Sequence, residues 1–281
     1  MLRRGCCYRE LIMTDSPSPD ARRFVYRDGS LVGVALAPDD RQGLEVADSW
    51  LVDSGRVRAI DLHRQRFMRS AEAAGFDDET ALADFWAAAV SAIPPIHRWF
   101  PRAELSRTRS GRWELSILMR LAPPLSASVV LRTHAGPDPR SIRNRKGPDL
   151  LTLASLRDEA RIDGVDELVL LGPDGAVADG TTTALLWWRG DELRMPPPDL
   201  ERVDSVTARS VLVLAAALGV RAGSERVRPA DLGGTEVWAV NALHGIRVVS
   251  AWRGGPAVVA EPGRQALWQR RLGALARPLA P

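Results

Sequence analysis

The residues Glu167-Leu168-Val169-Leu170-Leu171, followed by Asp174-Gly175-Ala176-Val177-Ala178-Asp179-Gly180-Thr181-Thr182, hold the pattern that decides the fold. Leu168–Leu171 is a short, wholly apolar run, as a buried strand requires. Pro173-Asp174-Gly175 is a hairpin signal, because Asp-Gly accepts the positive φ of a tight turn. Thr181–Trp188, rich in Thr and Trp, reads as a further strand. Upstream, Asp149 is placed to cap a helix that ends near Gly164. Just before that cap stands Lys146, the single lysine among 38 basic residues.

Working outward, the same mixture continues on both sides. Toward the N-terminus, Phe24–Val34 and Gly43–Val52 read as strands joined by a turn at Pro38–Asp40. Asp61 is placed to cap a helix from Leu62 to Ala74, closed by Gly75. A second helix spans Asp78–Ile93 and stops at Pro94-Pro95. Strand-like runs follow at Trp113–Leu121 and Ser128–His134, and Ala135–Pro139 reads as a linker. Toward the C-terminus, Asp204 or Ser205 opens a helix through Leu218, Val237–Val240 and Ile246–Trp252 are strands, and Arg264–Ala276 is a terminal helix. Helices and antiparallel hairpins mix in both halves, so the expected class is α/β in the mixed α+β sense. The expected division is a disordered leader over 1–20, a small α/β domain over 21–135, a linker over 136–145 and a large domain over 146–281.

The 281 residues are 45% hydrophobic and 26% charged, an ordinary globular composition. No run approaches the ~20 apolar residues that span a bilayer, and Arg3-Arg4 is not followed by the apolar core of a signal peptide. Cys6 and Cys7 are adjacent and fall in the leader, which gives neither a disulfide framework nor a metal-binding pair; Met13 is an alternative start that would remove both. A reducing cytoplasm is the expected location. The net charge is +3, and arginines alternate with acids, as in Arg157-Asp158-Glu159, so no basic arm for nucleic acid is expected. Nucleotide-binding glycine loops and a GxSxG elbow are missing from the sequence. His63, His97, His134 and His244 stand at no ligand spacing, so no metal is expected.

Four segments carry candidate chemistry. Asp61-Leu62-His63-Arg64-Gln65-Arg66-Phe67, with Ser70-Ala71, contains a guanidinium suited to a phosphate dianion; read alone, Arg66 is one of several arginines on an exposed helix face. Arg145-Lys146-Gly147-Pro148-Asp149-Leu150 offers a primary amine, or a solvated lysine. Asp179 follows Lys146 by 33 residues and is otherwise a plain hairpin acid. Ser205-Val206-Thr207 opens a helix whose amides suit a phosphate, or is an ordinary cap. Val240-Asn241-Ala242-Leu243 closes a strand.

In this order and at this spacing the segments resemble the class IV, or fold-type IV, pyridoxal-phosphate enzymes over roughly Asp61–Trp252. That family includes branched-chain and D-amino-acid aminotransferases and 4-amino-4-deoxychorismate lyase. The resemblance implies a two-domain D-amino-acid-aminotransferase-like fold, pyridoxal 5'-phosphate as cofactor, a small amino-bearing substrate and a homodimer. It implies that Lys146 is the Schiff-base lysine and catalytic base, that Arg66, Ser205, Val206, Thr207, Asn241 and Ala242 hold the phosphate, and that Asp179 pairs with the pyridine nitrogen. Arg120, Trp50 and His244 are candidate substrate contacts, Arg120 being equally placed as a strand-edge residue. The apolar, Trp-bearing segments are expected to supply the dimer contact.

The chain departs from the family pattern in places. Asp179 replaces a glutamate, Ala184 an asparagine, and Gly43-Leu44-Glu45-Val46-Ala47-Asp48-Ser49-Trp50 stands where a glycine-rich acidic stretch is usual. Leu151 replaces the tyrosine of branched-chain aminotransferases and Asn241-Ala242-Leu243 their G-T-A turn. Both tilt the expected activity toward the lyase, which releases pyruvate and 4-aminobenzoate. Alternatives are a branched-chain or D-amino-acid aminotransferase, or a non-catalytic cofactor-binding descendant. The lone lysine fits this reading: where arginine serves wherever charge alone matters, a retained lysine is a candidate for a role that only a primary amine fills.

Overall fold

The computed structural model describes residues 21–36, 43–261 and 263–280. The leader, with Cys6, Cys7 and Met13, and the Pro38–Asp40 turn lie outside the described residues.

The first part of the chain builds a five-stranded antiparallel sheet and two helices. β1 (Arg22–Arg27) and β2 (Ser30–Val34) form a hairpin. The expected single strand over Phe24–Val34 folds back at Asp28-Gly29, both at positive φ (49° and 79°), the backbone of a primed two-residue turn. β3 is Leu44–Ser49, β4 Val52–Asp53 and β5 Arg56–Val57. Helix α1 (Ile60–Ala73) begins from Ala59 in the left-handed region without a side-chain cap, and Asp61 sits in its first turn. α2 (Glu79–Ser91) is capped by Asp78, whose carboxylate accepts the Ala81 N–H at 2.9 Å. β6 (Arg98–Trp99), β7 (Arg102–Arg107) and β8 (Trp113–Met119) follow. The sheet order is β2-β1-β8-β7-β3, with α1 and α2 closing a core of Phe67, Phe85, Trp86, Leu105 and Ile117.

The second sheet has eight strands. They are β9 (Ser128–Thr133), β10 (Glu167–Leu171), β11 (Val177–Gly180), β12 (Ala184–Arg189), β13 (Glu192–Met195), β14 (Ala222–Ser224), β15 (Val237–Asn241) and β16 (Gly245–Arg253). Their order is β11-β10-β9-β16-β15-β12-β13-β14. Side chains alternate across it. Leu185, Trp187, Val237 and Ala239 fill one face; Leu186, Trp188, Trp238 and Val240 fill the other, under α4 (Val206–Ala217) and α5 (Arg264–Ala274). Helix α3 (Leu150–Ile162) leads into β10.

The structure moves the expected boundary. β9 lies between β10 and β16 in the eight-stranded sheet, so the chain passes from one sheet to the other before Ser128, ahead of the Ala135–Pro139 linker. The apolar Val129 and Leu131 fix this, because both are buried in that sheet's core. At the far end β17 (Arg277–Pro278) returns to pair with β5. The tryptophan segment also differs from expectation: Trp188, Trp238 and Trp268 pack edge to face at 5.2–5.7 Å inside this chain's own core and are not a surface for a partner.

Candidate functional site

The start of α1, the start of α4 and the turn after β15 meet around one small cavity. On α1, His63 and Arg66 stand three residues apart and so share one face. They close on Asp48 at the end of β3, which is 0% exposed. Arg66 Nε and Nη2 donate to the two Asp48 oxygens at 2.7 and 2.8 Å, a bidentate fork. His63 Nδ1 lies 2.7 Å from Asp48 Oδ1. Burial alone would raise the Asp48 carboxyl; the Arg66 guanidinium and His63 outweigh it and hold it at about 2. Burial lowers His63 against the pull of Asp48. A carboxylate only accepts, so His63 Nδ1 carries the proton and Nε2 keeps its lone pair. Arg66 Nη1 donates to the Asp204 carbonyl at 2.9 Å, which ties α1 to the loop before α4.

At the N-terminus of α4, Ser205 Oγ accepts the Ala208 N–H at 3.2 Å. Val206 and Thr207 line a small cavity of about 10 Å³ together with Ala242, His63 and Arg58. Arg58 Nη2 donates to the Ala242 carbonyl at 3.1 Å. Sequence reading passed over Arg58, one arginine among many, and over Asp48, which sits in a stretch that lacks the family's usual motif. A larger open cavity of about 310 Å³ is lined by Asn144, Ala184, Arg202, Val203 and Ser205 among others.

The loop between β9 and α3 carries Lys146, in irregular backbone rather than at a strand end. It is half-buried, and its carbonyl accepts the Ala47 N–H of β3 at 2.7 Å. Gly147 has φ 151°, and a Cβ there would stand 2.7 Å from the Glu45 carbonyl oxygen and from Val46 Cα, so glycine lets the loop lie flat on β3. Asp149 does not cap α3; its carboxylate accepts the Ser141 N–H and hydroxyl at 2.9 and 2.8 Å, which folds the loop on itself.

Asp179, on β11, is buried, and Arg140 of the same loop donates to it through Nη1 at 2.8 Å. The rest of that guanidinium is held by Asp138, through Nη2 at 2.8 Å and Nε at 3.0 Å. Burial dominates at Asp179 and raises its carboxyl to about 6, against the pull of Arg140. Behind it, Glu167 of β10 is fully buried and accepts the Thr181 hydroxyl, the Thr182 N–H at 2.9 Å and the Thr182 hydroxyl at 2.6 Å. That pins the turn after Asp179.

Other expected residues fall elsewhere. Trp50 is 0% exposed, packed on Trp86 at 4.8 Å in the first core, and presents no surface to a substrate. Arg120 Nε donates to the Phe100 carbonyl at 2.9 Å and its guanidinium lies over the Phe100 ring. His244 Nδ1 accepts the Ser126 N–H at 3.1 Å, and burial lowers it to about 4. Asn241 Oδ1 accepts the His244 N–H at 2.8 Å, so this side chain shapes its own turn. Leu151 is 44% exposed on the first turn of α3.

The family model for amino-transferase class IV matches residues 45–252. The chain belongs to the class IV aminotransferases, a class of pyridoxal-phosphate-dependent enzymes. The PLP-bound form of a hypothetical aminotransferase from Mycobacterium tuberculosis superposes with a TM-score of 0.76 at 18% identity, over 91% of this chain and 98% of that one. The fold IV-transaminase CpuTA1 from Curtobacterium pusillum gives 0.76 at 18%, over 90% and 97%. A branched-chain aminotransferase from Thermoproteus uzoniensis gives 0.74 at 19%, over 92% and 99%. These likenesses establish the fold. No curated protein sequence matches the chain.

The residues present fit pyridoxal phosphate. Thr207 lines the cavity only 5% exposed, and its hydroxyl has no hydrogen-bond partner among the described residues. The α4 N-terminus offers amides to an anion, and Asp179 offers a buried acid to a protonated ring nitrogen.

Proposed function

We propose that this chain is a pyridoxal-phosphate enzyme that removes the amino group of a small amino acid, with Lys146 as the lysine that carries the cofactor and moves the proton. The observation that supports it most is the Asp138–Arg140–Asp179 chain, which joins the Lys146 loop to a buried acid poised at about 6. When bound, the cofactor supplies an electron-poor ring that takes up the electrons of the broken C–H bond. Asp179 holds a proton at the ring nitrogen, and Arg140 keeps Asp179 ionised for that task. The amine of Lys146 takes the proton from the amine-bearing carbon and returns it. Its backbone carbonyl accepts the Ala47 N–H at 2.7 Å, which anchors the Lys146 loop on β3. Ser205, Val206, Thr207, Ala242 and Arg66 form or brace the phosphate end.

Transamination is the reading supported first. A second, a lyase like 4-amino-4-deoxychorismate lyase, is favoured by the Asn241-Ala242-Leu243 turn. The tilt drawn from Leu151 falls away, because that side chain faces solvent. The test loads the purified protein with pyridoxal phosphate and follows the absorption band of the lysine-linked cofactor. A band that shifts with amino acids and returns with a 2-oxo acid supports transamination. Pyruvate released from 4-amino-4-deoxychorismate supports the lyase. A band that no amine substrate shifts leaves cofactor binding alone. Lys146→Ala removes the band if the reading holds; a band that survives it rejects Lys146.

A further inference from the structure

The residues on either side of Lys146 hold it as firmly as its own backbone does. The Lys146 carbonyl takes the Ala47 N–H at 2.7 Å. One residue later, Gly147 lies so close to β3 that a Cβ would stand 2.7 Å from the Glu45 carbonyl oxygen and from Val46 Cα. One residue earlier, Arg145 Nη2 donates to the Glu45 carboxylate at 2.9 Å and Nη1 to the Ala73 carbonyl at 3.3 Å. Three consecutive residues of the loop thus meet one short stretch of β3.

That stretch has the shape to receive them. Among the described residues β3 is the edge of its sheet, so its outward N–H groups face no further strand. Leu44 pairs with Ser106 and Val46 with Leu105, two residues along β3 against one along β7. Glu45 is therefore the extra residue of a β-bulge, a feature that bends an edge strand and re-aims a side chain. Its carboxylate pairs with Arg145 and with no other cation among the described residues. Ala73 ends α1, and its carbonyl has no donor within the helix. A guanidinium there also complements the negative end of the helix dipole. Arg145 ties the lysine loop to β3 and α1 at once.

Stability alone accounts poorly for this contact. The Glu45 side chain is 31% exposed, and an ion pair open to water contributes little. Arg145 Nε is buried without an acceptor among the described residues, which carries a desolvation cost. What the contact supplies is placement. We propose that Arg145 is the positioning residue for Lys146: by gripping the bulge at Glu45 it sets where the lysine stands relative to the cofactor. This rests on the pyridoxal-phosphate reading above. The receptor of the lysine loop then lies within Gly43–Trp50, the stretch where the chain departs from the family pattern.

The experiment compares pyridoxal phosphate with pyridoxamine phosphate, whose amine cannot link to a lysine, on wild type, Arg145→Met, Glu45→Gln and the double variant. Pyridoxal phosphate is followed by the band of the lysine-linked cofactor, pyridoxamine phosphate by calorimetry, and folding by circular dichroism and the thermal midpoint. Arg145→Met should weaken pyridoxal phosphate about three- to tenfold and leave pyridoxamine phosphate at the wild-type value. Glu45→Gln should act in the same direction, and the double variant should be no weaker than Arg145→Met, because the two side chains act as a unit. In the cofactor-free protein the Ala47 amide should exchange with deuterium faster in Arg145→Met than in wild type. Equal weakening of both ligands, no weakening of either, or additive losses in the double variant overturns the positioning role. If Arg145→Met does not fold, Glu45→Gln decides: pyridoxal phosphate affinity and Ala47 exchange both at wild-type values overturn it. A wild type that shows no band with pyridoxal phosphate sinks the cofactor reading instead, while the Ala47 exchange still reports whether Arg145 holds the loop, which separates the two failures.

Discussion

Arg140 Nη1 lies 2.8 Å from Asp179 Oδ2, yet the Asp179 carboxyl is raised to about 6, while Asp48, also paired with an arginine, is held at about 2. Geometry explains the opposite signs. Asp48 receives a bidentate fork and an imidazole N–H. Asp179 receives one Nη1 contact, because Asp138 holds Nη2 and Nε of the same guanidinium, and the Gly180 N–H at 3.1 Å. These two contacts do not offset the loss of water around a buried carboxylate. Asp179 is thereby left able to gain from a further positive partner, as a protonated ring nitrogen would provide.

Arg140→Met removes the cation shared by two acids. Breaking a buried pair from one side costs about 3 kcal/mol, so chemical denaturation of the cofactor-free protein should show a loss of that order at neutral pH. The loss should shrink on acidification, because a protonated Asp179 no longer needs the arginine. A variant as stable as wild type at neutral pH would show that the contact carries no net stabilisation.

The raised Asp179 carboxyl also fixes the sign of a pH dependence. Its folded value, about 6, lies above the unfolded value of 3.8, so the folded state holds the proton more tightly. Its contribution is greatest below about pH 4 and is lost as the pH rises through 6, about 3 kcal/mol in all. Stability curves of cofactor-free wild type and Asp179→Asn, measured from pH 4 to 7, should differ by that slope. Parallel curves would place the proton elsewhere.

Asp48 runs the other way. Its folded value of about 2 lies below 3.8, so its stabilisation is present above pH 4 and lost as the pH falls toward 2, about 2 kcal/mol. Asp48→Asn leaves Arg66 buried without its counter-charge, and about 3 to 5 kcal/mol should be lost at neutral pH. Acid unfolding followed by circular dichroism should then lack the wild-type drop between pH 4 and 2. An Asn variant within 1 kcal/mol of wild type would mean that water reaches the Arg66 fork.

What could be read from the sequence follows the range of each signal. The helices from Ile60, Glu79, Leu150, Val206 and Arg264 carry local periodicity and turn residues, and all five fall near their expected spans. The Asp28-Gly29 turn was hidden by apolar residues that run on across it. Arg102–Arg107 reads as polar, yet it is a central strand, because Arg102 and Glu104 neutralise each other in a buried contact of 2.6 Å. Lys146 and Asp179 stood out through order and spacing. Asp48, Arg140 and Arg58 did not, because their roles exist only once separate elements meet. An acid on β3 finds its arginine on α1, and Arg58 finds Ala242 far down the chain.

Gly147 tests how Lys146 is positioned. With φ at 151° and the Glu45 carbonyl 2.7 Å from where a Cβ would sit, alanine has to push the loop away from β3. The Ala47–Lys146 hydrogen bond of 2.7 Å would stretch with it. Overpacking against backbone that cannot rotate away costs about 1 to 3 kcal/mol, which a folded protein of this size tolerates. Gly147→Ala should therefore fold with a lowered thermal midpoint. It should load pyridoxal phosphate on Lys146 at least about tenfold more weakly, since 1.4 kcal/mol of misplacement suffices for that factor. Because the lysine itself is unchanged, its chemistry is not in question; only its distance from the site is. The affinity for inorganic phosphate, which depends on the α4 cavity and not on the Lys146 loop, should stay at the wild-type value. Normal cofactor loading by Gly147→Ala would show that the lysine reaches its partner from a loop free to move, and that the contact with β3 serves folding alone.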